Sequence, residues 1–576
     1  MVKGLVAQAV ENLTREHERG GPLPRGGGPD GERDEDLPGS AYSPAICFAP
    51  GTSASLMEMV SRTSTANYPP EFRRESLGGY YEPLAFRSEV RWSRTATDGF
   101  ISSPTQGKPT TLTWSIVPDG TPISPALGTE SSDPSNLRAF LTGIYGSFAV
   151  WQAIFAEEFE RWSAVTGITY VYEPNDDART INGSAFSNAG TLGVRGDVRI
   201  GGHSIDGSAG PGQSTVLAYN YFPDSGDMVI DTGDSFFNNT SSDSIRLRNT
   251  ISHEHGHGLG LDHVCPPNQT KLMEPTLSIS YQGPQHDDIL TAQRQYGDPY
   301  EQNDSAGTAT DLGVLPAGTT TVDGVGVDDN NDPDYYEFTA PGADYNVAIT
   351  LRPIGFTYLE AAQNANGSCP PGSNFNSLII ANLSVQLLGT NGSTVLANAS
   401  GNGAGVNEVI AEMPLPSGAG PYFVRVQGDG TDSNQLYALD ITLIDSTPVP
   451  AISIADASAG EGAGTITFNV TLDTTSSDTV TVQYSTGNGT ATAGSDYAAA
   501  SGTVTFVPGD TAEQIAITIN EDALDEEDET FTVALASPNN ATIADGAATG
   551  TITDNDPAPT ISVASVTVGR DPAPAR

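Results

Sequence analysis

Basic residues are scarce in this 576-residue chain. Its 71 aspartates and glutamates outnumber the 25 lysines and arginines, so the formal charge is −46. A surface of that sign repels nucleic acid phosphates and anionic membranes, which excludes both as expected partners. It suits a protein in salty or calcium-containing surroundings, where divalent cations neutralise clustered carboxylates.

Cysteines are also few, since the chain has only Cys47, Cys265 and Cys369. Three thiols cannot build a disulfide framework, and at most one pair can form. Cys265 and Cys369 each precede two prolines in loop-like segments, so we predict that these two pair. Cys47 lies upstream in "SPAICFAPG". A cysteine there could cap a metal centre, but a free or paired cysteine is the favoured interpretation.

Long hydrophobic runs are lacking, so no membrane span is expected. The N-terminal "GLVAQAV" is too short, and too closely followed by charge, for a normal signal sequence. An extracellular or cell-surface location, which the function below requires, then implies another export route or an incomplete N-terminus.

The composition does not favour long helices throughout. With 63 glycines, 40 prolines and 17% charged residues, it favours turn-rich β structure. The length suggests three or four domains. The closing "PTISVASVTVGR" repeats the earlier "AISIADASAGEG", as in an array of β-sandwiches. We predict a poorly ordered, N-terminal or pro-like region at 1–107, an α/β block at 108–298, β-sandwiches at 299–446 and 447–557, and a truncated further repeat or tail at 558–576.

Within the α/β block, strands are predicted at "TLTWSIVPDG", "GITYVYE" and "DVRIGG". Two more are predicted in "VLAYNYFPDSGDMVID", joined by a Pro-Asp-Ser-Gly turn. Apolar residues recur at helical spacing over 137–165, which predicts a long helix there. A second helix carries a histidine-rich motif, and "DDILTAQRQYG" predicts a short final helix.

Four of the seven histidines fall in "HEHGHGLGLDHV" at 253–264. On a helix, His253 and His257 share one face and can reach a single metal ion. Glu254 projects beside them, close enough to contact a metal-bound water without being a ligand. His255 lies about 200° round the helix from His253 and is interpreted as a bystander on the opposite side.

Three glycines weaken the continuation of this helix, so the chain can turn sharply, and we predict that it turns at Gly260. Such a turn brings back His263 as a third imidazole. Three neutral imidazoles leave a fourth tetrahedral position for water, the arrangement expected of catalytic zinc. A bare HExxH arises by accident in many helices. The full HExxHxxGxxH, followed ten residues after His263 by Met273, is far more specific.

These motifs resemble those of the metzincin metallopeptidases and, within them, the matrixins. The resemblance covers residues 108–298, from "TLTWSIVPDG" to "DDILTAQRQYGDP". It implies an α/β fold with a twisted mixed sheet and long helices. The strand of Tyr219 is implied to be an edge strand that binds the substrate backbone by β-augmentation. The implied site has one catalytic zinc on His253, His257 and His263, Glu254 as general base and acid, and Met273 as the Met-turn beneath the zinc.

The chain departs from the family pattern at several positions. Pro275 replaces the tyrosine that astacins and serralysins have two residues after the methionine, which favours the matrixin branch. Glu274 stands where matrixins have a tyrosine, and Val264 where serine is usual. The histidines of a second, structural zinc would fall near Tyr219 and Val229, so that site is predicted to be absent. His203 remains nearby and is interpreted as solvated.

The resemblance also implies carboxylate roles. Asp206, Asp231 and Asp234 match the positions of a calcium loop. A solvated acidic turn stays open as the alternative, because calcium needs six or more oxygens and only these are traceable. Asp287 and Asp288 open the last helix and can cap it. The family would use such a pair to support the Met-turn and to anchor the mature N-terminus.

The C-terminal half resembles two known β-sandwich families. "YEQNDSAGTATDLG" and "DPDYYEFTAPG" resemble the bacterial pre-peptidase C-terminal domain, with an unrelated sandwich as the alternative. "EGAGTITFNVTL" and "INEDALDEEDETFTVAL" resemble a Calx-beta domain, with a calcium-free acidic sandwich as the alternative. The Calx-beta resemblance implies structural calcium on Glu461, Asp496, Asp522, Glu526, Asp554 and Asp556.

The leading hypothesis is a secreted, zinc-dependent endopeptidase that acts on proteins or peptides. Zinc would lower the pKa of its bound water to about 7 and polarise the scissile carbonyl. Glu254 would take the proton of that water and pass it to the leaving amine. The β-sandwiches would serve surface or matrix attachment. The rival hypothesis is a cell-surface, calcium-binding adhesion protein with a vestigial metallopeptidase domain, and the intact triad with Glu254 argues against it.

Overall fold

A six-stranded sheet is the framework of the first folded block. The computed structural model describes residues 44–50, 52, 57, 91–101, 106–127, 130–183, 189–206, 216–327, 333–364, 367–430 and 434–569. The strands of this sheet are β1 Ala45–Phe48, β4 Thr110–Ile116, β5 Ile168–Tyr172, β6 Val198–His203, β7 Val216–Asn220 and β8 Met228–Asp231. A short hairpin of β2 Arg94–Thr95 and β3 Gly99–Phe100 lies outside it.

The sheet is mixed, with the order β1-β7-β8-β6-β4-β5. Strand β4 pairs in parallel with β5 and β6, and β6 pairs in parallel with β8. Strand β7 is antiparallel to β8, and β1 is antiparallel to β7. The predicted strands and the mixed α/β class are therefore confirmed. Since β1 pairs with β7, the strand predicted to be an edge has a neighbour from the same chain.

Four α-helices occur in the described part of this block: α1 Leu137–Tyr145, α2 Phe148–Ser163, α3 Ser241–Gly258 and α4 His286–Tyr296. The single helix predicted over 137–165 is wrong, because the chain breaks at Gly146 and Ser147 and the two helices are bent by 102°. Buried aromatic side chains line one face of α2 at helical spacing and pack on the sheet: Trp151, Phe155, Phe159 and Trp162.

The prediction of poor order over 1–107 is wrong for the segments that the structure describes. Strand β1 joins the sheet, and the side chain of Trp92 is only 1% exposed. Its indole Nε1 donates a hydrogen bond of 2.8 Å to the carbonyl oxygen of Gly258 at the end of α3. The rest of the region lies largely outside the described residues.

Within the described ranges, no single helix is both long and apolar enough to span a membrane. Helices α1 and α2 satisfy that criterion only when they are joined across their bend. Their buried side chains belong to the core that packs against the sheet.

The middle sandwich, residues 310–445, is built from two antiparallel-rich sheets around one apolar core. The sheet orders are β10-β12-β19-β16-β17 and β11-β20-β13-β18. The bounds are β10 Thr310–Val314, β11 Gly318–Val327, β12 Asp334–Thr339, β13 Tyr345–Pro353, β16 Ser384–Leu388, β17 Val395–Ala399, β18 Glu408–Pro414, β19 Tyr422–Gln427 and β20 Gln435–Asp445.

A small sheet connects the middle sandwich to the histidine-bearing block. It is formed by β9 Val264–Cys265, β14 Thr357–Ala362 and β15 Ser373–Asn376 in the order β15-β14-β9. A disulfide joins Cys265 to Cys369 across this connection, so the predicted pairing is confirmed. The two blocks are thus linked by strand pairing and by a covalent bond.

The last sandwich has a separate core and sheets ordered β26-β23-β21-β28 and β22-β29-β27-β24-β25. Its strands are β21 Ala451–Ile454, β22 Ala457–Gly460, β23 Thr465–Leu472, β24 Val480–Asn488, β25 Ser501–Phe506, β26 Ala512–Thr518, β27 Glu529–Asn539, β28 Thr542–Asp545 and β29 Ala547–Thr553. Beyond it, the described residues up to 569 form no strand, and Ile561 and Val563 are exposed.

Candidate active site

The end of α3 brings three histidines together. His253 and His257 lie one turn apart on this helix, and both side chains are buried. The helix ends at Gly258, and Gly260 adopts a φ of 97°, a backbone conformation that favours glycine. The chain therefore reverses at the predicted residue and returns His263 to the other two rings.

The three imidazoles point their Nε2 atoms at one another. The separations are 3.2 Å for His253 and His257, 3.1 Å for His257 and His263, and 3.3 Å for His253 and His263. Burial lowers the pKa of His253 to about 3 and that of His263 to about 4, and it lowers the pKa of His257 as well. The rings are therefore neutral at physiological pH.

The donor set fits a zinc ion. Each Nδ1 atom has an oxygen acceptor: Leu272 O at 2.7 Å for His253, Leu261 O at 2.7 Å for His257, and Gln363 Oε1 at 2.9 Å for His263. Since a neutral imidazole carries one N–H, the three Nε2 atoms are left as bare acceptors. Three nitrogens at these separations can all lie about 2.0–2.1 Å from one point, the usual Zn–N distance.

Glu254 is fully buried beside this cluster. Burial raises the pKa of its carboxyl group well above the ordinary value, and contact with Cys47 partly opposes that rise. A ring nitrogen of His253, a carboxylate oxygen of Glu254 and Cys47 Sγ all lie within 4.8 Å of one another. The glutamate is therefore close enough to act on a group held at the histidines.

Met273 packs against α3 at Gly256, the residue before His257. It packs against Gly256 so closely that a Cβ atom at that position would overlap the methionine sulfur. The Asp288 carboxylate, on the first turn of α4, accepts hydrogen bonds from the backbone N–H groups of Leu272 and Met273 at 2.9 and 3.1 Å. Asp288 thus supports the turn that also orients His253, in addition to taking part in a capping box at the start of α4.

Strand β1 lies in the cleft beside the histidines. Cys47 is opposite Ala218 of β7 in an antiparallel ladder. On the other side, Leu277 N donates to Phe48 O at 3.0 Å, and Phe48 N donates to Pro275 O at 3.4 Å. The backbone of β1 is therefore hydrogen-bonded on both sides, as an extended segment that lies between β7 and the residues after the methionine.

The side chains of β1 alternate between two environments. Ile46 and Phe48 pack into an outer apolar cluster, whereas Cys47 points toward the histidines. Its thiol is free and buried, and burial with the neighbouring Glu254 charge raises its pKa well above the ordinary value. The favoured interpretation of Cys47 is right only in that the thiol is unpaired. Cys47 nevertheless lies beside His253 and Glu254, where the alternative interpretation places a cysteine that caps a metal centre.

Residues 147–297 match the sequence model of the family described as Matrixin. This segment is a matrixin domain. The matrixin domain supports a metallopeptidase-type function. Residues 445–556 match the family described as Calx-beta domain, which supports calcium binding in that segment. A search among curated proteins finds no match.

Solved structures of Calx domains match the same C-terminal region. The apo-form Calx CBD1 domain is 27% identical over 19% of this chain and all of its own, and CBD12 from CALX1.2 is 29% identical over 18% of this chain and 44% of its own. The TM-score is 0.18 in both comparisons. The family match, and not these scores, therefore identifies the Calx-beta domain.

Two other histidines of the matrixin domain, His255 and His203, are buried and hydrogen-bonded outside the histidine triad. His255 lies off the triad, as the helical spacing predicts, and its buried ring has Nε2 2.5 Å from Oη of the partly buried Tyr170. The interpretation of His203 as solvated is wrong. Its ring is buried between Glu130 Oε1 at 2.6 Å and Asp133 O at 2.7 Å, and these hydrogen bonds raise its pKa against the effect of burial.

The predicted calcium loop of the matrixin domain is partly assembled. Asp231 is buried, and its pKa is raised to about 7, chiefly by burial and further by the charges of Asp206 and Asp234. Its Oδ1 accepts hydrogen bonds from Ile205 N and Gly233 N. The three carboxylates are therefore close enough to repel one another, and calcium binding there stays a prediction.

Five of the six predicted calcium ligands of the Calx-beta domain fall into two groups, and Asp522 belongs to neither. Glu461, Asp554 and Asp556 have carboxylate oxygens within 4.8 Å of one another, and so do Asp496, Glu526 and Glu529. The pKa of Glu461 is raised by burial and by the charges of Asp522 and Asp554. The predicted residues thus collect at one pole of the sandwich. Glu529 was missed, because nothing in its strand-like context distinguishes it from an exposed side chain.

Proposed function

We propose that the chain is a zinc-dependent endopeptidase whose own strand β1 keeps it latent. The observation that carries the zinc assignment is the arrangement of His253, His257 and His263, with their Nε2 atoms 3.1–3.3 Å apart and every Nδ1 supplied with an acceptor. This arrangement leaves three neutral nitrogen ligands converging on one point beside a buried carboxylate, as a catalytic zinc site requires.

The proposed roles follow from the positions of the side chains. His253, His257 and His263 hold the zinc, which when bound polarises a carbonyl and makes water a better nucleophile near neutral pH. Glu254 takes a proton from the attacking water on its carboxylate and returns it to the nitrogen of the leaving amine. Met273 supports the ligand cluster from below and contacts neither substrate nor water.

Substrate binding is inferred from the way β1 occupies the cleft. An extended peptide would take the place of β1, with its backbone pairing with β7 on one side and with residues 275–277 on the other. Because Cys47 lies beside Glu254 and His253, β1 excludes both water and substrate while it is bound. Latency then ends when β1 leaves the cleft.

An oxidising, extracellular setting is part of the proposal. The disulfide between Cys265 and Cys369 is of a kind that persists outside the reducing cytosol. The charge of −46 and the acidic pole of the Calx-beta domain suit calcium-containing surroundings. The two sandwiches then serve attachment to a surface or matrix, and proteins there are the substrates.

Hydrolysis and metal content test the proposal together. The test compares the native chain with a variant that carries Ile46→Asp and Phe48→Asp, which we call the opened variant. We expect about one zinc per chain, and cleavage of casein by the opened variant that a chelator abolishes and added zinc restores. Two zincs on the matrixin domain would contradict the predicted loss of a structural site. Zinc binding by an opened variant that cleaves no casein or gelatin would support the adhesion-protein hypothesis.

Calcium should stabilise the Calx-beta domain. Since the domain has its own core, a fragment of residues 445–556 can be melted alone. At 100 times the dissociation constant, calcium binding to the folded state adds about 2.7 kcal/mol, which raises Tm by roughly 10 °C or more at this size. Asp554→Asn with Asp556→Asn should remove the shift, because it neutralises one ligand group. The exposed Asp510→Asn should retain it. Equal melting curves with and without calcium would leave only the calcium-free sandwich.

A further inference from the structure

The third histidine is oriented by a side chain from outside the matrixin domain. His253 and His257 donate their Nδ1–H groups to backbone carbonyls of the matrixin domain itself. His263 Nδ1 is instead 2.9 Å from the side-chain Oε1 of Gln363, which lies 100 residues later in the chain. No sequence pattern marks this glutamine, because the contact depends on how the middle sandwich docks.

The amide of Gln363 is fixed in the orientation that His263 needs. Its Nε2 donates a hydrogen bond of 2.9 Å to the carbonyl oxygen of Gly367. A flipped amide would lose that bond and face the histidine with an N–H group. Oε1 therefore accepts from His263 Nδ1, which sets the tautomer with the proton on Nδ1 and a bare Nε2 toward the other two rings.

The segment that carries Gln363 is held against the matrixin domain at several points. We call residues 357–364 and 367–376, which include β14 and β15, the arm. Ala361 and Ala362 pair with Cys265 and Val264 in an antiparallel ladder, immediately after His263. The disulfide from Cys265 closes the arm at Cys369. The position of Gln363 relative to His263 is thus defined by the backbone as well as by its own hydrogen bonds.

A further contact ties the arm to the support of the Met-turn. Tyr358, on β14, donates a hydrogen bond to Asp287, and the neighbouring Asp288 holds the backbone of Leu272 and Met273. The expectation that Asp287 anchors a mature N-terminus has no counterpart among the described residues, where Asp287 contacts the arm. The arm therefore contacts His263 directly through Gln363, and it contacts the residue next to Asp288 through Tyr358.

We propose that Gln363 is a positioning residue for the third zinc ligand, and that the middle sandwich thereby completes the metal centre. The inference rests on the proposed function, in which His263 binds zinc. Partners that orient ligand histidines typically contribute 10–100-fold to metal affinity. Gln363 is the only one of the three Nδ1 acceptors that is a side chain, so it is the one that substitution can remove.

The test is the zinc affinity of the full chain, measured by competition with a chromophoric chelator. Gln363→Leu keeps much of the side-chain size and removes the acceptor, so we expect the dissociation constant to rise about 10–100-fold. Gln363→Glu restores an acceptor at the same position and should bind zinc at least as tightly as the native chain. Gln427→Leu, at an exposed position on β19 of the same sandwich, is the control and should change nothing.

The melting temperature of each metal-free protein separates positioning from folding. We expect Gln363→Leu and the native chain to melt within a few degrees of each other without metal, and to differ once zinc is added. Native-like zinc affinity in Gln363→Leu would overturn the proposal, as would an equal loss in Gln363→Leu and Gln363→Glu. If Gln363→Leu does not fold, the zinc affinity of Gln363→Glu becomes the deciding measurement. Binding at least as tight as that of the native chain supports the proposal, and weaker binding overturns it. A native chain that binds no zinc would instead refute the proposed function itself.

Discussion

Replacing Glu254 with glutamine in the opened variant is expected to lower kcat/KM for peptide hydrolysis by about 10²–10⁴-fold. Glutamine keeps the shape of the buried side chain but cannot accept the proton of water. Glu254 is not needed to hold the metal, because the three imidazoles already supply the ligands. Zinc content and thermal stability should therefore stay close to those of the parent, measured on the same preparation as the kinetics.

The matched control is Glu160→Gln, an exposed carboxylate on α2 that contacts none of these residues. It should hydrolyse peptides at the parental rate. If Glu254→Gln cleaves as fast as its parent, the proton is moved by another group and the proposed mechanism fails. His255→Ala is unsuitable as a control, because His255 packs against Phe159 and Tyr170 in the core. Truncating it would destabilise the domain.

The opened variant is expected to hydrolyse peptides about 10²–10⁴-fold faster than the native chain. Ile46 and Phe48 are 4% and 1% exposed, and burying such side chains stabilises the docked strand by about 3–6 kcal/mol in total. Each 1.4 kcal/mol changes the population of open molecules about tenfold. Aspartate at both positions should expel β1 from its outer apolar cluster. Initial rates on one fluorogenic peptide, at equal zinc loading, measure the difference.

The control for this substitution is Phe100→Asp with Leu192→Asp, two exposed apolar residues of the same block. It adds the same charge and should leave the native rate unchanged. Cys47→Ser keeps the apolar anchors and removes only the thiol, so it should increase the rate less than the opened variant does. Equal rates for the native chain and a folded opened variant would show that β1 does not block the cleft.

Much of the candidate site could be predicted from local sequence. The spacing of His253, His257 and His263, with a turn at Gly260, depends on helical geometry over eleven residues, and the structure has that arrangement. The Met-turn and Asp288 also lie in short segments with recognisable patterns. The break at Gly146 was missed, because apolar side chains keep helical spacing on both sides of it and periodicity does not report a change of axis.

Contacts between distant segments could not be predicted from local sequence. Strand β1 lies in a region whose composition predicts poor order, yet it gains backbone partners on two sides only because β7 and residues 275–277 form a slot of its width. His203 is buried because Glu130 offers it a partner across 73 residues. Whether a side chain is buried, and whether a strand is paired, depends on the surface that it packs against. The composition of the local segment does not predict that surface.

The sequence by itself determined the proposed ligand set, the proposed general base and the acidic residues predicted for the Calx-beta pole, since each follows from residue type and short-range spacing. Tertiary structure alone decided that Cys47 meets Glu254 and that Gln363 orients His263. The physical reason is that hydrogen bonds and burial act over a few ångströms, whereas these partners are separated by 100 residues or more along the chain. Only the docking of β1 and of the arm brings them within that range.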